Sequence, residues 1–373
     1  MQSAAAPRAR FHLRSASLLL ICSLAPFFAR AQGESGAAIY ARACAACHGD
    51  DGRGRAQSQV GFETPLPNFT DCDYASRERK ADWFAIVHQG GPVRGFNRMM
   101  PAFGRALTDD EISTVVDYVR SLCRDASWPR GELNLPRALF TEKAYPEDEA
   151  VSNTTIQTEG PNSFTQQIIW EQRFGVRNMI EIDMPFHRAD LGDAFPSSTG
   201  AGDLSVAVKH TLSHSLERGS ILSVGGEVSL PTGDEAKGFG AGTTVFEPFV
   251  AYGKILPRDS FVQVHALAEI PASDRLEDEI GLRTAIGRTW TQGGGYGRSW
   301  TPMLELLAAR ELTSGADTEL DVVPQLQVSL SRRQHIMAGA GFRVPATQRS
   351  DRATQFVFYL LWDWYDGGVL EGW

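Results

Sequence analysis

The chain has 373 residues, enough for two domains, and carries 36 Lys and Arg against 45 Asp and Glu, a formal net charge of −9 at pH 7. Neither this acidic balance nor any motif suggests a nucleic-acid partner. Charges interrupt every apolar stretch after Phe28, so the sequence predicts no membrane-spanning helix beyond that point.

Residues 1–31 have the features of a secretory signal peptide. Three arginines precede an apolar run, Leu18 to Phe28, and Ala29-Arg30-Ala31 supplies an A-x-A type cleavage site. The run is too short to cross a membrane as a helix. We therefore expect export from the cytoplasm, with cleavage before Gln32.

The most specific motif is Cys44-Ala45-Ala46-Cys47-His48, the attachment signature of a c-type haem. The thiols of Cys44 and Cys47 would add to the two vinyl groups, and His48 would present its imidazole to the iron. The alternatives are a redox dithiol and half of a zinc site. A zinc site needs a second Cys/His pair, and none follows at suitable spacing. The motif predicts one covalently bound haem c.

Residues 32–126 have the pattern of a small all-α domain. A helix is predicted over Arg79 to Gln89, where Gly90-Gly91-Pro92 would end it. A closing helix is predicted from Thr108, which forms a capping box with Glu111 and is followed by apolar residues at helical spacing.

The second axial ligand of the iron is predicted between these two helices. Met99-Met100-Pro101 offers two thioethers, and a thioether opposite histidine suits an electron-transfer cytochrome. Met100 is preferred because Pro101 disfavours helical geometry at the residue before it. His88 is the rival ligand, although a solvated residue at a helix end is its simpler interpretation.

Together these motifs make residues 33–125 resemble class I cytochrome c. The resemblance implies covalent haem on Cys44 and Cys47, with His48 as the proximal and Met100 as the distal ligand. It also implies two further contacts. A carbonyl in Pro65-Leu66-Pro67 would accept the proximal imidazole N–H, and Trp83 would either contact a haem propionate or pack in the core.

The cysteines left over predict at most one disulfide. Cys22 lies in the leader and the haem uses two more, so Cys72 and Cys123 form the only possible pair. An oxidising compartment would permit that bond. Two free thiols are the alternative.

Residues 127–150 are predicted to be a linker. Trp128-Pro129, Leu135-Pro136 and Tyr145-Pro146 with scattered charges are typical of an extended connector. It separates a region whose apolar residues have helical spacing from a region that alternates with period 2.

Residues 151–373 alternate with period 2, which predicts an all-β antiparallel barrel of about twelve strands. Each candidate strand has roughly ten residues, the length needed to cross an outer membrane. The candidates lie near 151–159, 164–174, 176–186, 203–213, 221–230, 243–254, 261–270, 278–290, 299–311, 318–330, 334–343 and 354–364.

Loop lengths and aromatic residues favour a membrane barrel. Phe174-Gly175, Pro257-Arg258-Asp259 and Arg332-Arg333 indicate tight turns, whereas the segments near 187–202 and 232–242 are long and polar. A water-soluble barrel or β-sandwich would also alternate, but with its apolar face inward. Aromatic side chains near strand ends favour interfacial girdles: Trp170, Phe174, Phe186, Trp290, Trp300, Trp362 and Trp364.

Two short segments, Gly202-Asp203-Leu204-Ser205-Val206 and Leu230-Pro231-Thr232-Gly233-Asp234, resemble an outer-membrane barrel family named for phenol-degradation pathways. The resemblance implies architecture only. Two departures stand out, namely Pro324 within a predicted strand and the extension from Asp366 to Trp373.

The sequence therefore predicts an electron-transfer cytochrome c, tethered to the outer membrane by a barrel, with its haem in the periplasm. Its expected partners are periplasmic redox proteins, membrane lipid and, for conduction across the membrane, a multihaem cytochrome in the lumen. The alternative is a channel with the haem domain as plug or redox sensor. Its lumen candidates are Lys209, Glu227, His265 and Glu269. A haem enzyme is not expected, because two axial ligands leave no open iron position.

Overall fold

In the computed structural model of the chain, the predicted leader lies outside the described residues, and Glu34–Trp373 forms one compact unit. No helix in the described part is both long and apolar enough to cross a membrane. The structure describes residues 33–61, 65–157, 159, 162–190, 198–350, 352–364 and 370.

Short helices form the N-terminal part of this unit, up to residue 126, which is called the haem domain from here on because its Cys-x-x-Cys-His motif predicts haem. They are α1 (Gly36–Ala43), α2 (Ala45–His48), α3 (Gln57–Val60), α4 (Cys72–Ala75), α5 (Lys80–Gln89) and α6 (Asp109–Ser121). The predicted capping box is confirmed: Glu111 N donates to Thr108 Oγ1 at 3.3 Å, and Thr108 N to Glu111 Oε2 at 2.8 Å. The apolar face of α6 then packs on α1 around Ile39 and Tyr40.

Twelve long antiparallel strands follow among the described residues and close into a barrel, because β9 pairs with β11. Two short strands, β4 (Ser198–Ala201) and β10 (Trp290–Thr291), extend the ladder. The long strands are β1 (Glu149–Gln157), β2 (Ser163–Phe174), β3 (Asn178–Ala189), β5 (Leu204–Ser215), β6 (Ser220–Leu230), β7 (Val245–Leu256), β8 (Ser260–Pro271), β9 (Glu279–Arg288), β11 (Ser299–Glu311), β12 (Glu319–Ser329), β13 (Ile336–Pro345) and β14 (Gln355–Asp363). The prediction of about twelve strands is confirmed.

Between these elements lie three 3₁₀ turns, Gly91–Arg94, Gly131–Leu133 and Glu235–Lys237, and a tight turn at Gln292–Gly295. Pro324 is accommodated inside β12. It is paired with Leu304 of β11, but the pairing of β12 with β13 is interrupted between Val322 and Gln325. Proline has no N–H to donate on that side.

The two faces of the barrel are opposite to those of a soluble protein. Large apolar side chains point outward, for example Leu306, which is 54% exposed, while Glu305 next to it is 0% exposed in the lumen. Because apolar-out and polar-in alternation is the pattern of a membrane barrel, the soluble alternative is wrong. Other outward residues include Val208, Phe246, Ile280, Leu282, Ile286, Phe342 and Leu360.

The segment predicted as a linker does not extend through solvent. Residues 131–148, called the plug from here on, lie inside the barrel and contact its wall on many sides. Gln263 Nε2 donates to Pro136 O at 2.9 Å, Tyr359 Oη to Arg137 O at 2.9 Å, and Lys209 Nζ to Lys143 O at 2.8 Å. Its prolines keep it out of helix and strand, and the polar lumen supplies hydrogen-bond partners for its backbone.

The haem domain contacts the barrel at the end where β1 begins and the short turns lie. Arg77 forms an ion pair with Asp148 just before β1. Arg79 Nη2 donates to Gln334 Oε1 at 3.3 Å on the turn between β12 and β13. His88 stacks on Tyr296, with ring centroids 5.2 Å apart, on the turn that precedes β11. The haem domain is therefore fixed to one rim of the barrel.

Candidate functional site

The Cys-x-x-Cys-His motif lies where α1 leads into α2. Ser35 caps α1 by accepting a hydrogen bond from Ala38 N at 3.3 Å. At the other end, Tyr40 Oη donates to Gly49 O at 2.7 Å, which holds the turn after His48. A helix, its cap and a buried tyrosine thus fix the position of the motif.

Cys44, Cys47, His48 and Met100 line one cavity of about 530 Å³. That volume lies in the range of roughly 300–1,000 Å³ found for small-molecule and cofactor sites. Much of the remaining wall is apolar and comes from Phe69, Trp83, Ile86, Val87, Phe103, Val115, Val116 and Val119. The structure therefore brings together the four residues that the sequence assigns to haem.

Of the two thiols in the motif, that of Cys44 lacks the lowered pKa of a redox dithiol. Both are free and half-buried, and burial raises the pKa of the Cys44 thiol to about 11. Redox-active pairs instead have a lowered thiol pKa. In the described part of the chain, neither cysteine belongs to a group of three or more metal-ligating side chains. This disfavours the zinc alternative.

His48 is prepared for ligation but lacks one predicted contact. Burial lowers the pKa of its imidazole, which favours the neutral form that binds metals. Its ring lies against Phe69, with centroids 4.8 Å apart. No carbonyl of Pro65-Leu66-Pro67 accepts its N–H, because Nδ1 is buried without a hydrogen-bond partner. The predicted proline contact is therefore wrong in this structure, and Phe69 orients the ring instead.

Met100 is held at the cavity by the loop that follows α5. Gly91 N donates to Met100 O at 3.0 Å, and Met100 N donates to Asn97 O at 3.2 Å. A Cβ on Gly91 would lie 2.3 Å from Asn97 O, so this loop needs glycine there. Met99 also borders the cavity but is 52% exposed. The structure favours Met100 over Met99.

His88, the rival ligand, points elsewhere. Its ring stacks between Phe84 and Tyr296, at 5.8 Å and 5.2 Å, and lies 3.5 Å from Asp109. It is not among the residues that line the cavity.

Trp83 does line the cavity, in edge contact with Phe69, and its buried Nε1 has no partner. That indole N–H is a donor available to a polar group of a ligand.

Cys72 and Cys123 are joined by a disulfide with an S–S distance of 2.11 Å. The bond connects the start of α4 with the residue that follows α6 by two positions. It thereby closes a loop of the haem domain that contains Met100.

The four lumen candidates occupy two levels of the barrel. Lys209 and His265 are each 2% exposed beside the plug, where Lys209 pairs with Glu142. Glu227 and Glu269 belong to a row of carboxylates on neighbouring strands. The cross-strand pairs are Glu171 with Glu181, Glu227 with Glu247, Glu269 with Glu279, and Glu279 with Glu311.

Sequence reasoning missed Glu305, which anchors the plug. Its carboxylate accepts from Leu139 N at 2.9 Å and from Thr141 N and Oγ1 at 2.7 and 2.6 Å. The one clue was its charge on the lumen face of a strand. Arg94 and Arg333, which also line the haem cavity, were missed as well, because neither lies in a motif.

Comparisons with known proteins found a family match in the N-terminal part of the chain. The family described as cytochrome C oxidase, cbb3-type, subunit III matches residues 31–119. No curated protein matches the chain. The resemblance of the barrel to the phenol-degradation family is not confirmed and stays a prediction.

The solved structures similar to this chain include two porins and an outer membrane channel. KdgM porin is 12% identical and covers 57% of this chain and 98% of its own, with a TM-score of 0.37. An outer membrane channel from Pseudomonas putida F1 is 12% identical and covers 61% of this chain and 99% of its own, with a TM-score of 0.42. NanC porin is 6% identical and covers 57% of this chain and 97% of its own, with a TM-score of 0.39.

Proposed function

We propose that this chain is a c-type electron carrier whose haem domain is attached to the outer membrane by its own barrel. The observation that carries the proposal is the cavity that brings Cys44, Cys47, His48 and Met100 together. A haem bound there supplies a reversible one-electron iron couple. Cys44 and Cys47 would hold it covalently, and the His48 imidazole and the Met100 thioether would ligate its iron.

The protein environment favours electron transfer over catalysis. Because His48 and Met100 would both ligate the iron and leave no open site for a substrate, we propose no enzymatic activity. Much of the cavity wall is apolar, and a thioether ligand would raise the reduction potential. Periplasmic redox proteins are the proposed partners, and Met99 and Tyr74, which are exposed at the cavity, offer them an apolar approach.

The proposed location follows from the barrel. In outer-membrane barrels the short turns face the periplasm, and the haem domain contacts the short-turn end of this one. An apolar belt of about 25 Å is too thick for one haem to relay electrons across it. A multihaem cytochrome threaded through the lumen would need the space that the plug occupies, so we propose exchange on the periplasmic side only.

Haem staining combined with heat-modifiability tests this proposal. Outer-membrane fractions are run on a denaturing gel with and without boiling. We expect one haem-stained band that shifts on boiling and is absent from a Cys44→Ala/Cys47→Ala variant. A wild-type band without haem, or a reduced-minus-oxidised spectrum without a c-type band, would falsify the proposal.

A second function, a gated cation channel, is favoured by one observation. Carboxylates directly opposite each other across neighbouring strands destabilise a barrel. The described strands contain four such pairs, and in one of them Arg137 already pairs with Glu171. Cations in the lumen would offset that repulsion. The plug would have to move before ions could pass, and planar-bilayer conductance distinguishes this function from the tethered carrier.

A further inference from the structure

Three buried carboxylates meet where the plug joins the barrel wall. Glu147 lies near the end of the plug, Glu149 begins β1, and Asp363 ends β14. They are 2%, 1% and 8% exposed, and one carboxylate oxygen of each lies within 4.8 Å of the others. Glu149 and Asp363 are directly opposite each other at the seam where the last strand pairs with the first. These three residues are called the seam cluster from here on.

Two cations share the first two of these carboxylates. Lys143 Nζ lies 2.5 Å from Glu147 Oε1 and 3.2 Å from Glu149 Oε2. Arg137 Nη1 lies 2.5 Å from Glu149 Oε1 and 2.6 Å from Glu171 Oε1. With the third member of the seam cluster, four carboxylates therefore surround two cations, which leaves two surplus negative charges when all are ionised. Such a buried surplus is costly unless further positive charge compensates it.

Asp363 is the member of the cluster that has no cationic partner. Its Oδ1 is fully buried without a hydrogen-bond partner, and no ion pair reaches its carboxylate from the described part of the chain. Its backbone N–H donates to His335 O at 2.7 Å, which fixes the residue at the end of β14. An unsatisfied buried polar atom points to a strained, catalytic or ligand-binding role. Two further carboxylates beside it favour ligand binding.

A cavity of about 100 Å³ borders the cluster, and Glu149 and Asp363 both line it. Neutral side chains that carry oxygen, among them Asn134, Gln327 and Ser329, form another part of its wall, and the two cations named above line it as well. Its size is sufficient for a metal ion with a few water molecules. The cavity therefore combines space, neutral oxygen ligands and an unpartnered carboxylate.

We propose that the seam cluster binds one divalent cation, and that this cation is Ca²⁺. Carboxylate, amide and water oxygens are the ligands that Ca²⁺ and Mg²⁺ prefer. Ca²⁺ accepts irregular coordination by such oxygens, whereas Mg²⁺ requires a nearly ideal octahedron. Its two positive charges balance the two surplus negative charges. The ion joins the plug to the first and last strands of the barrel, and its binding does not depend on haem.

Calcium binding to the full-length protein tests this proposal. The purified protein is freed of metal with EDTA, and its binding of radioactive Ca²⁺ is measured by equilibrium dialysis at neutral pH. We expect the wild type to bind one Ca²⁺ and Asp363→Asn to bind it about tenfold more weakly, a loss of ~1.4 kcal/mol. Because the Asp363 carboxylate has no protein partner, this variant should keep the fold, which heat-modifiability checks. If it does not assemble, Glu147→Gln takes its place.

Glu269→Gln is the matched control, since Glu269 belongs to the separate row of carboxylates on the lumen face. It should bind Ca²⁺ as the wild type does. Ca²⁺ should also raise the unfolding temperature of the wild type and of Glu269→Gln, because a ligand that binds only the folded state stabilises it. The unfolding temperature of Asp363→Asn should respond much less. The proposal is overturned if the wild type binds no Ca²⁺, if Asp363→Asn binds it equally well, or if Glu269→Gln loses it to the same extent.

Discussion

The two methionines beside Pro101 differ in burial, and this allows a test at one residue. Met100 is half-buried at the cavity, whereas Met99 is 52% exposed. We expect Met100→Ala to lose the thioether–iron absorption band and to lower the reduction potential, because a thioether opposite histidine raises it. Redox titration and optical spectra measure both effects. Met99→Ala is the matched control, and the assignment is wrong if that variant loses the band.

Glu132, at the start of the plug, gives the haem domain a pH-dependent attachment. Its carboxylate accepts from Arg120 Nη2 at 2.7 Å and from Lys80 N at 3.0 Å. Burial raises the pKa of Glu132, but these bonds outweigh burial, so the pKa lies below its ordinary value. A depressed carboxyl pKa stabilises the fold at neutral pH. That stability is lost as the pH falls below about 4.3 and through the folded-state pKa.

We therefore expect Glu132→Gln to lower the free energy of unfolding by about 2 kcal/mol at pH 7. The difference from wild type should shrink toward zero in acid, below the folded-state pKa. Denaturant titrations at several pH values, followed by haem absorbance, measure it. The control is Asp117→Asn, which removes an exposed partner of Lys80 at 2.7 Å and should cost under ~1 kcal/mol. A difference that stays constant with pH would contradict the argument.

At the scale of elements, the disulfide joins the start of α4 to the segment that follows α6. The sequence separation of Cys72 and Cys123 is 51 residues. Cross-linking a loop of that length stabilises a fold by roughly 4 kcal/mol in the chain-entropy model. We expect Cys72→Ser/Cys123→Ser to unfold the haem domain at lower denaturant while the barrel remains heat-modifiable. If a reductant has no effect on wild-type unfolding, the bond is absent or unimportant.

The strands were predictable because lipid-facing and lumen-facing positions alternate along each of them. Leu306 must face lipid and Glu305 must face the lumen, so polarity alternates and the period is visible. The capping box at Thr108 was predictable for a similar reason, since helix ends need local hydrogen-bond partners. Each of these features is determined by neighbours in sequence.

The plug was not predictable, because its partners are distant in sequence. Leu139 bonds to Glu305, which is 166 residues away, and Arg137 pairs with Glu171. Its two prolines, Pro136 and Pro146, and its scattered charges give the segment the composition of an exposed connector. Arg333 was missed for the same reason, since a turn arginine is ordinary until the fold brings it to Phe96. The positions of the plug and of Arg333 both depend on contacts between residues that are distant in sequence.

At the scale of the whole molecule, we expect the plug to determine whether the barrel conducts. Glu305 accepts three hydrogen bonds from Leu139 and Thr141, so it is the side chain whose loss should free the plug. Glu305→Gln replaces one acceptor oxygen with an amide NH₂ group, which cannot accept a hydrogen bond from the N–H and O–H donors of Leu139 and Thr141. A loss of ~1.4 kcal/mol of anchoring raises the open fraction about tenfold.

Planar-bilayer recordings should therefore show little conductance for the wild type and frequent openings for Glu305→Gln. Open channels should select cations, because Glu227, Glu247 and Glu269 face the lumen. Glu311→Gln, on the same strand but without a hydrogen bond to the plug among the described residues, should behave as the wild type. If the wild type conducts as well as Glu305→Gln, the plug does not close the lumen. That result would favour the channel function over the tethered carrier. If both variants stay silent while haem and heat-modifiability are retained, the barrel serves as an anchor only.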